Sequence, residues 1–192
     1  MSAKPPLKAV FFDRDGVLNL DHGYVFEPAQ LDWIPGAREA VAILHAAGVK
    51  VLVVTNQSGV ARGYFTEAQV EGFHAAMQAD LAEVGARIDA FYVAPHHGHG
   101  MVERCRHPNH PDRKPNPGMI LRGLTDWSLA PEETVLVGDK ASDVEAARRA
   151  GVEGLRFRGG RPAGLPARVP GSAPPRGRPL GTFPVGAPPP GG

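Results

Sequence analysis

Two aspartates, Asp13 and Asp15, sit one residue apart at the end of an apolar run, Ala9-Val10-Phe11-Phe12, and just ahead of Gly16. Two acids so placed can divide a phosphoryl transfer, one as nucleophile and metal ligand, the other as proton shuttle. A phosphate approaching a carboxylate nucleophile needs its charge neutralised. Mg²⁺ does this through oxygen ligands, commonly one or two carboxylates plus waters. Asp139, in Gly138-Asp139-Lys140, is the natural partner of Asp13. The Thr55 hydroxyl and nearby backbone N–H groups can hold phosphoryl oxygens, and Lys114 supplies a point charge. Taken alone, the Asp-x-Asp pair is equally a loop with two solvated acids, and Lys114 a solvated lysine.

These groups meet only if the intervening elements bring them to one edge. Residues 8–12 read as a strand, and 17–35 as a long irregular connection broken by Gly23, Pro28 and Pro35. Ala37, Ala40, Val41 and Leu44 recur at a helical period within 36–47, with Gly48 as stop. A second strand over 49–54 ends at Thr55-Asn56-Gln57-Ser58-Gly59. Thr66 to Gln69 has the form of a capping box and opens a helix to about Val84. A third strand over 89–94, a second long loop over 95–115 and a helix over 117–127 follow. The fourth strand, 133–137, stops at Gly138-Asp139-Lys140. A helix over 142–150 and a short strand over 154–157 complete the pattern. Strands alternating with helices predict an α/β fold with a parallel sheet. Asp13, Thr55 and Asp139 then follow three strands at their shared C-terminal edge, where open α/β sheets bind ligands.

Composition narrows the classes. The chain of 192 residues suggests one domain, and its formal charge of +1 gives no reason to expect a nucleic-acid or membrane partner. A single cysteine excludes an internal disulfide framework. With no transmembrane-length run and no signal-peptide h-region, a cytoplasmic monomer is expected. Charge is uneven, however. From Gly159 onward there are four arginines, no acids and about half of the prolines. The expected organisation is a domain over 1–158 and a disordered tail over 159–192.

Four stretches now stand in order: Asp13-Arg14-Asp15-Gly16-Val17, Thr55-Asn56-Gln57-Ser58-Gly59, Arg113-Lys114-Pro115-Asn116-Pro117-Gly118-Met119, and Gly138-Asp139-Lys140 with Asp143. As a set they resemble the motifs of the haloacid dehalogenase (HAD) phosphatases. The resemblance implies a Rossmann-like three-layer fold with a mostly parallel central sheet and a minimal cap formed by loops. It also implies an aspartyl-phosphate intermediate at Asp13, Asp15 as general acid then base, and Mg²⁺ at Asp13, Asp139 and the Asp15 carbonyl. Asn19 to Val25, Gly59 to Gly63 and Phe65 to Glu67 look like the branch acting on heptose 1,7-bisphosphate, whose relatives act on histidinol phosphate. For that branch the resemblance implies removal of the C7 phosphate. It places substrate contacts at Asp21, His22, Gly23, Tyr24, Thr55, Asn56, Gln57, Ser58, Arg113, Lys114 and Lys140. A second phosphate on a sugar gives Arg113 a role, since guanidinium pairs bidentately with phosphate.

The chain departs from this pattern after the fifth strand, where Pro/Gly-rich sequence from Gly159 stands in place of a further strand and helix, and in one loop. Relatives carry a zinc site of Cys-x-His followed by Cys-x-Cys ahead of the Arg-Lys pair. The corresponding positions here are Ala94, His96, His110 and Asp112. Yet the loop holds five of the eight histidines (His96, His97, His99, His107, His110) and the only cysteine, Cys105. Either zinc is rebuilt on His96, His110, Asp112 and one of Cys105 or His107, or the histidines are a solvated polar loop. Ala94 removes one ligand outright and Asp112 is harder than the thiolate it replaces, which weighs against zinc. Two other function classes compete. A non-catalytic metal-binding or scaffold protein would use the histidine loop and the proline tail, and loss of Asp13 or Asp15 would favour it, but both are present. A receiver-type domain would not require Asp15-Gly16 together with the Lys114 loop.

Overall fold

The run that ends at the two acids forms the centre of the sheet. In the computed structural model, which describes residues 5–159, β1 (Ala9–Phe12) is buried along its whole length. It pairs in parallel with β2 (Lys50–Asn56) on one side and β4 (Thr134–Gly138) on the other. β3 (Ala90–Ala94) and β5 (Glu153–Arg156) complete a five-stranded sheet in the order β3-β2-β1-β4-β5, with every pairing parallel.

Side chains alternate across the sheet with period two, so β1 to β4 feed two cores. Val10, Phe12, Val51 and Val53 pack with Val41 and Leu44 of α1 (Ala37–Ala46) and with Phe73, Met77 and Leu81 of α3 (Glu67–Ala82). Ala9, Phe11, Leu52 and Leu136 pack on the opposite face with Met119, Ile120 and Leu124 of α4 (Gly118–Asp126). There they also meet Ala146 and Ala147 of α5 (Ala141–Arg149). Helices on both faces make the three-layer α/β/α arrangement. Phe11 is fully buried, and its truncation to alanine is expected to cost ~3–5 kcal/mol. The long connections after β1 and after β3 are loops rather than inserted domains.

The structure adds one α-helix and moves several boundaries by one or two residues. β2 continues through Thr55 and Asn56, which pair with Val93 and Ala94, because backbone pairing persists after the apolar run ends. A five-residue helix, α2 (Ser58–Arg62), follows at once and is too short to show a period in sequence. The last strand begins at Glu153, one residue earlier than the apolar pattern suggests. The expectation for the tail falls on residues 160–192, outside the described residues.

Candidate active site

The chain runs β1, β2, β3 outward on one side of the sheet and then crosses to β4 on the other. The switch point therefore lies between β1 and β4, where a crevice opens at the strand C-termini. Asp13 leaves β1 and Asp139 leaves β4 at this point. Gly16 makes their approach possible. Its φ is +87°, and a Cβ there would lie 2.5 Å from Asp139 Oδ2. Gly138 has a similar role, since its Cβ would lie 2.2 Å from the Asp143 Cβ.

Asp13, Asp139 and Asp143 each offer a carboxylate oxygen within 4.8 Å of the others. Lys114 inserts among them, with Nζ 2.9 Å from Asp13 Oδ1 and 2.7 Å from Asp143 Oδ1. Its third contact is the Val54 carbonyl at 2.9 Å. Burial alone would lower the pKa of Lys114, but Asp13 and Asp143 outweigh it and hold the ammonium charged. Burial pushes the Asp13 carboxyl up to about 6 against the pull of Lys114. Asp139 is raised too, by burial first and Asp143 further, with Lys140 opposing.

The donor set fits a divalent cation. Three carboxylates against one ammonium leave a formal charge of −2 when all are ionised. Asp139 Oδ1 is buried and has no hydrogen-bond partner, a costly state unless something else takes its lone pairs. Hard oxygen donors are what Mg²⁺ takes. Asp143 is a member of this cluster to which the spacing assigns no role. It belongs to the Gly138-Asp139-Lys140 motif, but a carboxylate on the first turn of α5 becomes a candidate only when Gly138 lets it close on Asp139.

Asp15 is held by three residues. Arg14 donates to both of its oxygens at 3.0 Å, Asn19 Nδ2 to Oδ1 at 3.0 Å, and Gln57 Nε2 to Oδ2 at 2.9 Å. Gln57 Nε2 also reaches Thr55 Oγ1 at 2.8 Å, so Asp15 and the Thr55 hydroxyl share one carboxamide. Arg14, Asn19 and the bridging role of Gln57 were not legible from residue type, because each acts through Asp15.

The remaining predicted residues surround this centre. Asn56 exchanges two hydrogen bonds with the Lys114 backbone, both 3.1 Å, and so ties the Lys114 loop to β2. Asp21 caps the turn to Gly23 and lies 3.4 Å from Lys140 Nζ. His22 lies 3.6 Å from Asp32. Tyr24 is exposed and meets the Tyr64 ring edge-on at 4.8 Å. Ser58 opens α2. Arg113 NH1 donates to the His96 carbonyl at 3.0 Å.

The candidate zinc ligands do not converge. Among the described residues the acidic trio is the one group of three or more His, Cys, Asp or Glu side chains with ligand atoms in common reach. His96 and His110 stack face to face at 3.5 Å, with His107 edge-on to His110 at 5.1 Å. Cys105 is buried in an apolar cluster with Val60, Ala61, Phe65 and Val70. Asp112 pairs with Arg122 at 2.8 Å. The rebuilt zinc set is therefore not assembled: His96, His107 and His110 contact one another, but Asp112 is held by Arg122 and Cys105 by apolar packing.

A parallel sheet of this order, with an aspartate nucleophile after β1 and acids after β4, is the frame of a HAD-like hydrolase. The chain belongs to that family: the model of the haloacid dehalogenase-like hydrolases matches residues 21–151. Among curated relatives, a Rhodopseudomonas palustris protein named D-glycero-beta-D-manno-heptose-1,7-bisphosphate 7-phosphatase is 44% identical over 164 residues, covering 83% of this chain and 88% of its own. A protein of the same name from Escherichia coli (strain K12) is 43% identical over 144 residues, 75% of each chain. A crystal structure of D,D-heptose 1,7-bisphosphate phosphatase from B. bronchiseptica, complexed with magnesium and phosphate, superposes with a TM-score of 0.72 at 33% identity. The match covers 80% of this chain and 82% of that one.

Proposed function

We propose that this enzyme removes the C7 phosphate of D-glycero-D-manno-heptose 1,7-bisphosphate. The observation that carries the reading is Asp13 at the end of β1, paired with Lys114 beside Asp139 and Asp143. The relatives named for this activity span most of both chains, which supports the substrate.

Lys114 and the Arg14 N–H both engage Asp13 Oδ1, the latter at 2.8 Å, which leaves Oδ2 as the attacking oxygen. Attack on phosphorus forms an acyl phosphate at Asp13 and expels the C7 oxygen, which takes a proton from Asp15. Asp15, then ionised, accepts a proton from the water that attacks the acyl phosphate, and inorganic phosphate leaves. Asp15 accepts on both oxygens, and these bonds fix its carboxyl group in place for the two proton transfers. Thr55 and Lys114 stabilise the transferring phosphoryl oxygens. Asp13, Asp139 and the Asp15 backbone carbonyl would hold Mg²⁺, with Asp143 lining the same site. When bound, the cation neutralises charge that builds up on those oxygens.

The second phosphate has a basic rim available. Arg62, at the end of α2, lies 3.0 Å from His97 Nε2, while Arg113 holds the adjacent His96 carbonyl. Burial and then the Arg62 charge lower the Arg113 pKa. Among the described residues neither guanidinium has a carboxylate partner, so an anion is missing from their surroundings. Asp21, His22, Gly23, Tyr24 and Lys140 would contact the sugar. Zinc has no part in the reading, because Asp112 is paired with Arg122 and no group of three ligand atoms forms in this loop among the described residues. Its other parts are a cytoplasmic monomer with no nucleic-acid or membrane partner, in keeping with the formal charge of +1. Among the described residues no helix is long and apolar enough to cross a membrane.

The test is ³¹P NMR of the product. One phosphate should be released per sugar, with the C1 phosphate retained. Loss of the C1 phosphate, or of both, overturns the assignment.

A further inference from the structure

Arg14 lies between the two catalytic aspartates, yet its side chain is fully buried. A buried guanidinium is tolerated only when its donors are met. Nε and NH2 each donate to Asp15 at 3.0 Å, and NH2 donates again to the Val25 carbonyl at 2.7 Å. The Phe73 ring lies 4.6 Å from the guanidinium carbon. The remaining contact runs from NH1 to His74 Nε2 at 3.2 Å.

That contact has a fixed sense. A guanidinium has no acceptor, so Nε2 must carry the lone pair and the ring proton must sit on Nδ1. The surroundings keep the ring in this neutral form, since burial and the Arg14 charge lower its pKa to about 3. Its orientation is fixed as well. The ring stacks on Phe91 of β3, with centroids 4.0 Å apart and planes inclined by 11°. His74 is therefore a rigid acceptor built into α3, two contacts away from Asp15: His74 to Arg14 to Asp15.

We propose that His74 is a positioning residue for the phosphatase reaction. By accepting from NH1 it sets the plane of the Arg14 guanidinium, and that plane sets the direction of the Asp15 carboxylate. His74 touches neither substrate nor reacting atoms. Removing the acceptor frees the guanidinium to turn and leaves a donor unmet in the apolar layer. Asp15 then drifts from the line of proton transfer, while the groups that hold the substrate are untouched. An interaction needed only in the transition state lowers kcat and spares KM.

This inference rests on Asp15 as the proton-transfer group, so the variants are measured beside Asp15→Asn. His74→Leu should lower kcat on the bisphosphate about 10- to 100-fold, with KM within about twofold, the scale expected for a misplaced catalytic group. His74→Gln puts a carboxamide oxygen close to the Nε2 position and should recover most of the rate. His74→Asn is one methylene shorter and should not. If the leucine variant does not fold, the Gln and Asn pair decides alone, with thermal unfolding recorded for both. Wild-type kcat in the leucine or asparagine variant overturns the proposal. So does an equal loss in the Gln and Asn variants, or a loss confined to KM. Retained turnover in Asp15→Asn would instead remove the reading of Asp15 on which the inference stands.

Discussion

Two regions of this molecule are rich in metal-ligating side chains, and they behave differently. At the switch point, Asp13, Asp139 and Asp143 stand on the ends of β1 and β4 and the first turn of α5. The sheet register and two glycines bring them within 4.8 Å of each other. In the loop between β3 and α4, His96, His107 and His110 contact one another, but Cys105 is held by apolar packing and Asp112 by Arg122. Ligand content does not make a site. Convergence comes from rigid elements that leave charges with no other way of being balanced, as Lys114 and Asp139 show.

The comparison predicts a steep difference in sensitivity. Asp13→Asn should lower phosphate release by about four orders of magnitude or more, because an amide is a poor nucleophile. Near wild-type release by this variant would remove the strand-end acids from the chemistry. Asp15→Asn should cost ~10²–10⁴-fold, since both proton transfers lose their carrier. Rapid-quench kinetics should show both half-reactions slowed, and an unchanged second step would limit Asp15 to the acid role.

Lys114→Met tests the charge balance of the same region. It leaves Asp13 and Asp143 buried without their cation and should destabilise the metal-free protein by ~3–5 kcal/mol in denaturant unfolding. Unchanged stability would mean that the two carboxylates are solvated rather than paired.

Arg113→Ala sits where the two regions meet. It should raise KM for the bisphosphate by about 10-fold or more, the scale of a charge-assisted hydrogen bond, and leave a generic monophosphate nearly unaffected. Equal losses on both would place Arg113 with the transferring phosphoryl group. The smallest effect is expected in the loop itself. Stripping metals by chelation and restoring Mg²⁺ should return full activity. Replacing His96 and His110 together should shift rates only a few-fold, as surface packing changes do. Stoichiometric zinc that survives dialysis, with activity that needs it, would equate the two regions after all.

The difference also explains what the sequence disclosed. Apolar runs ending in Asp13, Thr55 and Asp139 were readable because buried parallel strands are continuous in hydrophobicity and their ends share an edge. Lys114 was readable by motif. Asp143 was not assigned, since its part depends on Gly138 having no side chain. The end of β2 was misjudged because strand pairing outlasts the apolar run by two polar residues. Arg14, Asn19 and the bridging role of Gln57 were hidden for another reason. They work by hydrogen bonds to Asp15, and residue type alone does not show which acid a buried donor serves. The histidine loop offered the opposite signal, with ligand types in abundance and no geometry behind them.

The most direct test of the account is phosphate release from D-glycero-D-manno-heptose 1,7-bisphosphate and from histidinol phosphate, each with Mg²⁺ and with chelator. The strand-end site and the basic rim of Arg62 and Arg113 predict rapid release from the bisphosphate, slow release from histidinol phosphate, and loss of both when Mg²⁺ is removed. Release that persists in chelator, or that favours histidinol phosphate, would contradict it.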